Sequence, residues 1–507
     1  MSSNCNLFSR FSQCFPAEEN TFLTDDAGVC YTYADLEKKS SDIAYNLVEK
    51  GLQPGDRVTL IAQKSLNALW IYLGCLRAGA VFHPINPDYS KPEIVFFLND
   101  ARPKFLVTDG GVSLKIGNLA SQVESIEEHL QIPLVDEEGL LSSPAMLDQG
   151  NFPCHVNTRN DTAALLYSSG TTGDPKGICL THGNLYENAA SLCRAWQFSP
   201  NDILLHVLPV FHVHGLFIAL GPVLVAGASV RYQNKFVVEQ VIEALPNVTV
   251  LMGVPTFYSR LLDNPEFTKI SSRNIRVFIS GSAPLTESVF RQFEERTSHK
   301  ILERYGMTET GVNTSNPING DRIPESVGVV LPGVELRITN AKGIEVKDES
   351  VGAIEVRGDN VFPRYWGLPN KTREAFDGAG WFGTGDQGSM DSNGYLYISG
   401  RSKDMIITGG LNVYPKEVER VLDKFPGIIE SSVFGVPHSD FGEGVMAAVV
   451  MKGNEPLEQR RVIESLSEEL ARFKIPKHIV ALKELPRNAM GKVMKGELRI
   501  SYASFFS

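Results

Sequence analysis

The sequence predicts an α/β protein: a large N-terminal domain of two layered, largely parallel sheets with a small β-rich module, then a compact α+β unit. Three observations carry this. From Tyr31 to about Arg304, short apolar runs alternate with segments of helical spacing, the pattern of parallel strands joined by helices. After about Val327 the texture changes to short alternating strands between Gly, Asp and Asn turns. From about Lys403, strand-like and helix-like segments resume in a unit of their own. The 507 residues suffice for two domains, drawn at 1–402 and 403–507, and for a large core.

In order, residues 33–50 carry Leu36, Ile43 and Leu47 on one helical face. Strands are expected at 57–62, 80–85 and 104–108, with helices at 67–78 and 91–99. The apolar run 163–167 is of strand length. It enters Ser168-Ser-Gly-Thr-Thr-Gly-Asp-Pro-Lys-Gly177, a loop of small residues, turn formers and Lys176. Thr181 is a good N-cap for a helix to about Trp196. Further strands are expected at 203–208, 229–233, 248–253, 276–280 and 301–304, with helices near 237–244, 256–262 and 286–296. The β-rich module has strands at 334–339, 353–357 and 395–398. The last unit has a strand at 405–408, a helix at 416–425, a strand pair around 431–436 and 445–451, a helix at 457–473 and a basic tail.

Bulk chemistry excludes some classes. A net charge of −11 argues against a nucleic-acid or anionic-membrane partner. The seven cysteines are odd in number and form no C-x-x-C pair, which points to reduced thiols and a cytoplasmic compartment. Residues 1–16 lack the basic start and apolar core of a secretory signal. The longest apolar run, 215–230, is broken by Gly221, Pro222 and Gly227 and is too short for an integral membrane segment. No protein partner is indicated.

The loop after 163–167 suits an anion. Ser168, Ser169, Thr171 and Thr172 offer hydroxyls, Gly170 and Gly173 let backbone N–H groups come close, and Lys176 adds a point charge. It is not a Walker A loop: counted from Gly170, Pro175 stands where glycine is needed and Gly177 where Ser or Thr is needed. Glu303-Arg-Tyr-Gly-Met-Thr-Glu309 follows a strand. There Tyr305 can stack on a base, Gly306 allows a tight turn and Thr308 offers a hydroxyl. Glu309 can supply the one or two carboxylate oxygens typical of a Mg²⁺–nucleotide site. A strand end with a capping Thr and a solvated Glu is the plain alternative. Gly281, Ser282 and Ala283 follow another strand as a tight turn. Asp386, in Trp381-Phe-Gly-Thr-Gly-Asp386 before a hairpin, can accept two hydroxyl hydrogen bonds or serve as a turn residue. Lys492 follows Gly491 in the tail and suits a cation delivered to a charged transition state, or a solvated lysine among Lys483, Arg487 and Lys495.

Taken together and in order, these motifs resemble the adenylate-forming superfamily of acyl-CoA synthetases, peptide-synthetase adenylation domains and luciferases, over essentially the whole chain. The resemblance implies an enzyme that uses ATP, Mg²⁺ and CoA. It assigns Ser168, Ser169, Gly170, Thr171, Thr172, Gly173 and Lys176 to the β- and γ-phosphates, and Gly281, Ser282 and Ala283 to a place between adenine and acyl group. Tyr305 then packs on adenine beside Gly306, Met307 and Thr308, and Glu309 binds Mg²⁺. Asp386 and Arg401 hold the ribose, and Lys492 is the catalytic lysine with Thr308 and Lys176. It also makes Lys403 the hinge of a mobile C-terminal domain, and Gly409 and Gly410 the passage for the CoA thiol. The implied reaction joins a carboxylate to the α-phosphate of ATP, expels pyrophosphate, and passes the acyl group to a thiol as AMP leaves.

For the acid, Val210-Phe-His-Val-His-Gly-Leu216, Met252-Gly-Val-Pro-Thr-Phe-Tyr258 and Asn313-Thr-Ser-Asn-Pro317 resemble malonyl-CoA synthetases, which activate malonate and often methylmalonate. Arg260 and Ser282 match the residues that bind the distal carboxylate there, and His212 lines or gates the acyl pocket. From its apolar neighbours Arg260 is expected to be buried. It then requires an anion, either Asp263 or Glu266 or the substrate's second carboxylate. A satisfied histidine at a strand end is the alternative for His212. A short- or medium-chain monocarboxylate ligase is the runner-up. A catalytically silent nucleotide or acyl-CoA sensor is the rival from another class, and would be expected to have lost Lys492 or Glu309.

Overall fold

In the computed structural model, which describes residues 4–132, 151–168, 175–346, 349–409, 411–438, 441–453, 456–488 and 491–506, four sheets organise the chain. The largest has nine strands. Its centre is parallel and runs Leu302–Met307, Val277–Ser280, Val250–Gly253, Ile203–His206, Ser229–Tyr232 and Thr21–Thr24. Antiparallel edges are added by Gly311–Ser315 with Val329–Val330 on one side and Cys30–Thr32 on the other. The seven-stranded sheet is parallel through Thr162–Ser168, Val81–Ile85, Arg57–Ile61, Phe105–Asp109 and Glu128–Ile132.

The helix Leu66–Ala78 ties the two sheets together. Every residue from Ala68 to Ala78 is buried. Tyr72 packs on Phe82 beneath the seven-stranded sheet and on Phe217 near the other, while Trp70 meets Phe22. A helix apolar on all sides belongs inside a protein. Its Gly74 lies so close to the helix Tyr33–Glu49 that a Cβ would sit 2.4 Å from Ile43. The β-rich module is a four-stranded antiparallel sheet of Val334–Thr339, Gly352–Gly358, Phe382–Met390 and Leu396–Arg401. The C-terminal sheet centres on Ile428–His438 against Gly442–Met451 and has its own apolar core.

Several boundaries differ from the sequence expectation. Lys176–Thr181 is a strand antiparallel to Thr162–Ser168, so a second strand precedes the helix expected after the small-residue stretch. The run Ile178-Cys179-Leu180, wholly buried, drives this. Thr181 then caps the helix His182–Ala195 in a reciprocal box with Asn184, as expected. Glu303 to Met307 lies within a strand and not after one, and Trp381–Asp386 enters the hairpin strand Phe382–Met390 itself. Alternation of buried and exposed residues along Phe382–Met390 was masked by its glycines. The helix near 457–473 is shorter, at Gln459–Glu469, because the extended backbone of Leu470 ends it. Leu7–Ser12, Thr21–Thr24 and the helical segments His214–Ala219 and Leu220–Ala226 were not expected. Among the described residues no helix is long and apolar enough to cross a membrane.

Candidate active site

Gly281, Ser282 and Ala283 follow the parallel strand Val277–Ser280, and Tyr305, Gly306 and Met307 end the strand Leu302–Met307. These are the carboxyl ends where ligands of such sheets bind, while Asp386 and Arg401 lie on the four-stranded antiparallel sheet. On one side stand polar groups that already satisfy one another. Tyr305 Oη donates to Asp386 Oδ2 at 2.6 Å, and Arg401 Nε lies 3.1 Å from Asp386 Oδ1. Asp386 and Arg401 face each other across the hairpin. Glu309 is buried and accepts from Tyr365 Oη at 3.3 Å. Burial raises its carboxyl above the usual range, with Arg401 and Lys176 opposing. Lys176 Nζ lies 4.8 Å over the Tyr365 ring. Gly306 is required, because a Cβ there would fall 1.8 Å from Gly311 O in the hairpin, and Met307 and Thr308 follow at its turn. Among the described residues no cluster of three or more ligating side chains could cage a metal. One buried carboxylate fits a Mg²⁺ carried largely by phosphate oxygens. Ser169, Gly170, Thr171, Thr172 and Gly173 lie outside the described residues, as does Gly410. Ser168 pairs through its backbone with Lys176.

The tail brings Lys492 to this side. Its backbone N–H donates to Asn488 Oδ1, and Gly491 abuts Thr256 of the N-terminal domain. Lys492 keeps solvent contact but stands among Arg401, Asp386, Glu309 and Lys403. Although Lys492 is exposed at the surface, partial desolvation by the protein around it, then the Arg401 charge, pull its ammonium down to about 8. Lys403 occupies the short turn Ser402–Asp404 between the four-stranded sheet and the C-terminal sheet. Gly409 faces elsewhere. It has φ +58 and borders a cavity of about 490 Å³ within the C-terminal domain, with Phe441, Phe473 and Lys477.

The other side holds groups that lack partners. Ser282, at φ +74, places Oγ 3.0 Å from His214 Nδ1, and His214 Nε2 is buried without a partner. His212 lies in the turn six residues beyond the strand Ile203–His206, not at its end. Its Nε2 is also buried and unpartnered. Burial, then Lys492, hold its imidazole down to about 4. Arg304 is 4 % exposed, forms no ion pair among the described residues, and leaves Nε and Nη2 unpartnered. Burial lowers its guanidinium to about 10. A Cβ on Gly281 would sit 2.4 Å from Arg304 Cζ, so glycine is what lets the guanidinium lie across this turn, ahead of Ser282 and Ala283.

The expected burial of Arg260 is corrected. The helix Pro255–Asp263 buries Tyr258 and Leu261 and turns Arg260 outward, exposed and without an ion pair to Asp263 or Glu266. Apolar neighbours in sequence did not mean burial, because a helix puts only one face inside. Arg260 shares its face with Thr256, the residue against Gly491. Sequence reading singled out neither Arg304 nor His214. The available signal was an arginine two residues from buried Leu302, on the same face of one strand.

One side of the site thus holds paired polar groups with Lys492 beside them, and the other a buried cation without an ion pair among the described residues. Residues 10–366 match the AMP-binding enzyme family and residues 417–492 its C-terminal domain, and the chain belongs to that family. A malonate–CoA ligase of Arabidopsis thaliana is 34 % identical over 484 residues, 89 % of this chain and 79 % of that protein. The mitochondrial malonate–CoA ligase ACSF3 of Mus musculus is 33 % identical over 510 residues, 92 % of this chain and 86 % of that protein. The crystal structure of ATP-bound MatB from Rhodopseudomonas palustris superposes with a TM-score of 0.96 at 43 % identity, covering 99 % of this chain and all of that one.

Proposed function

We propose that this chain ligates malonate to CoA with ATP, through a malonyl-adenylate, releasing AMP and pyrophosphate. One observation carries the choice of acid. Arg304 is a buried guanidinium with two free donors and no ion pair among the described residues, next to Ser282. Such a charge is costly to bury alone and is matched by the distal carboxylate of a short diacid, bound by two parallel hydrogen bonds. Arg260 stands nearer the mouth as a second, solvated cation, and neutral His212 and His214 line the pocket. The names of the relatives support the same acid.

Adenylation brings two anions together, so catalysis consists of alignment and charge neutralisation. In this reading Asp386 and Arg401 take the ribose hydroxyls, Tyr305 packs on adenine, and Lys176 with the 168–173 loop holds the outer phosphates. Thr308 and Lys492 face the transferring phosphate. A Mg²⁺ beside Glu309 would neutralise the departing pyrophosphate. The malonate carboxylate oxygen forms the bond to the α-phosphorus as the bond to pyrophosphate breaks. The CoA thiol then attacks the carbonyl, loses its proton, and AMP leaves. Lys403 is the proposed hinge between domains 1–402 and 403–507, swinging Gly409 and Gly410 toward the thiol path. Seven free cysteines support a reducing, cytoplasmic setting.

The test is CoA-dependent pyrophosphate release with malonate, methylmalonate, acetate and octanoate. The expected order puts malonate first, with methylmalonate next and the monoacids far behind. Preference for acetate or octanoate overturns the diacid reading, and no pyrophosphate with any acid overturns the ligase reading.

A further inference from the structure

Outside the expected site residues lies a buried cation that the mechanism does not use. Lys64 follows the strand Arg57–Ile61 of the seven-stranded sheet and reaches the carboxyl ends of two strands of the other sheet. Its Nζ lies 2.8 Å from His206 Nδ1, 2.8 Å from His206 O and 2.6 Å from Gln233 O. It also sits 4.3 Å over the Tyr232 ring, which stacks on His206. His206 Nε2 in turn lies 2.8 Å from Gly215 O.

The donor count fixes the charge. A carbonyl accepts, so His206 Nε2 carries a hydrogen toward Gly215. Three acceptors then surround Lys64 Nζ, and a neutral amine has only two hydrogens to give. The network closes only when Lys64 and His206 together hold one extra proton, on either nitrogen. Burial pushes against that charge at Lys64, and Asp26 is the acid that favours it.

The contact made with this charge matters because of where Gly215 sits. Gly215 is the second residue of the π-helical segment His214–Ala219, and a Cβ there would strike Pro209 O at 1.9 Å. Its carbonyl is one peptide from His214, whose Nδ1 meets Ser282 Oγ. Irregular helical turns need outside partners for their backbone groups, and here the partner is His206.

We propose that Lys64 and His206 act as positioning residues of the acyl pocket, clamping the Gly215 carbonyl and thereby aiming His214 and Ser282 at the bound acid. The inference rests on the acyl-pocket reading above. Neither residue touches the nucleotide side, so the acid and ATP should respond differently when the clamp is cut.

Steady-state kinetics on full-length Lys64→Met, His206→Gln and the double variant test this, with malonate and ATP varied separately. Wild-type turnover of malonate tests the function reading alone; the variants are compared using whichever acid the wild type activates. Each single change should raise KM for the acid about tenfold or more while moving KM for ATP less than about twofold, since small misplacements in a pocket are costly. The double variant should cost little beyond the worse single, because both cut one contact chain. His206→Gln keeps both carbonyl partners of Lys64 and so serves if Lys64→Met fails to fold. Equal rises in both KM values, an unchanged KM for the acid, or additive losses would overturn the proposal.

Discussion

The two halves of the cleft are built on opposite plans. On the proposed nucleotide side Asp386 is held by Tyr305 and Arg401, and Glu309 by Tyr365, so each carboxylate has a partner before any ligand arrives. On the acyl side Arg304 Nε and Nη2, His212 Nε2 and His214 Nε2 are buried with none. Buried polar groups are normally satisfied, so the second half carries a cost that the first does not. A nucleotide must exchange partners with side chains that already have them. A carboxylate entering beside Arg304 supplies a partner that the fold withholds. In the proposed reading, affinity for the acid is stored as instability of the free pocket, while the nucleotide half is satisfied by its own partners.

Three experiments break or sharpen that contrast. The largest effect should come from Lys492→Ala, which removes a cation that the second domain lends to the proposed nucleotide side. Adenylation, read as single-turnover pyrophosphate release, should fall about 10²–10³-fold, the usual loss for one preorganised electrostatic group. Thioester formation from supplied malonyl-adenylate should stay within a few-fold of wild type. Adenylation at the wild-type rate would remove Lys492 from the mechanism.

Next comes the acyl side. Arg304→Met should lower kcat/KM for malonate by about 10²-fold or more, as expected when a buried charge pair loses a partner. The same variant should melt no lower than wild type, because it deletes an unpaired buried charge and replaces it with an apolar chain. Arg260→Ala should cost about tenfold or less, since exposed ion pairs contribute only about 0–1 kcal/mol. A larger loss at Arg260 than at Arg304 would move the anchor to the mouth of the pocket and dissolve the contrast.

The contrast also explains what could be read from sequence. Most nucleotide-side groups come in contiguous motifs, and Asp386 and Arg401 meet because they pair across one hairpin. Resemblance of these motifs to the superfamily singled them out, while the alternation of strand-like and helix-like segments predicted the parallel sheets. The acyl pocket is drawn from His212 and His214, Gly281 and Ser282, and Arg304, with Lys64 and His206 behind it. No window of sequence contains that set. Arg260 was favoured by its apolar neighbours and by the resemblance, but helical rotation faces it outward, whereas Arg304, inside the Glu303–Glu309 motif, was not singled out. The strand Lys176–Thr181 was missed for a related reason: its glycine and lysine read as loop, and its burial depends on pairing with Thr162–Ser168.

The smallest effect separates the halves by titration. His212 is held to about 4 and Arg304 to about 10, so neither changes charge near neutrality. Lys492, drawn down to about 8, does. It neutralises phosphate only while protonated, so its contribution is complete below that value and is lost as pH rises through it. The free-enzyme profile, kcat/KM for ATP, should therefore fall on an alkaline limb centred at about 8, well before an ordinary lysine near about 10.4 would lose its proton. KM for malonate should stay flat from about pH 7 to about pH 9, because the groups that meet it do not titrate there. In Lys492→Ala the limb should vanish from what activity is left. A limb that persists in that variant, or one shared by the malonate KM, would place the titrating group in the acyl half instead.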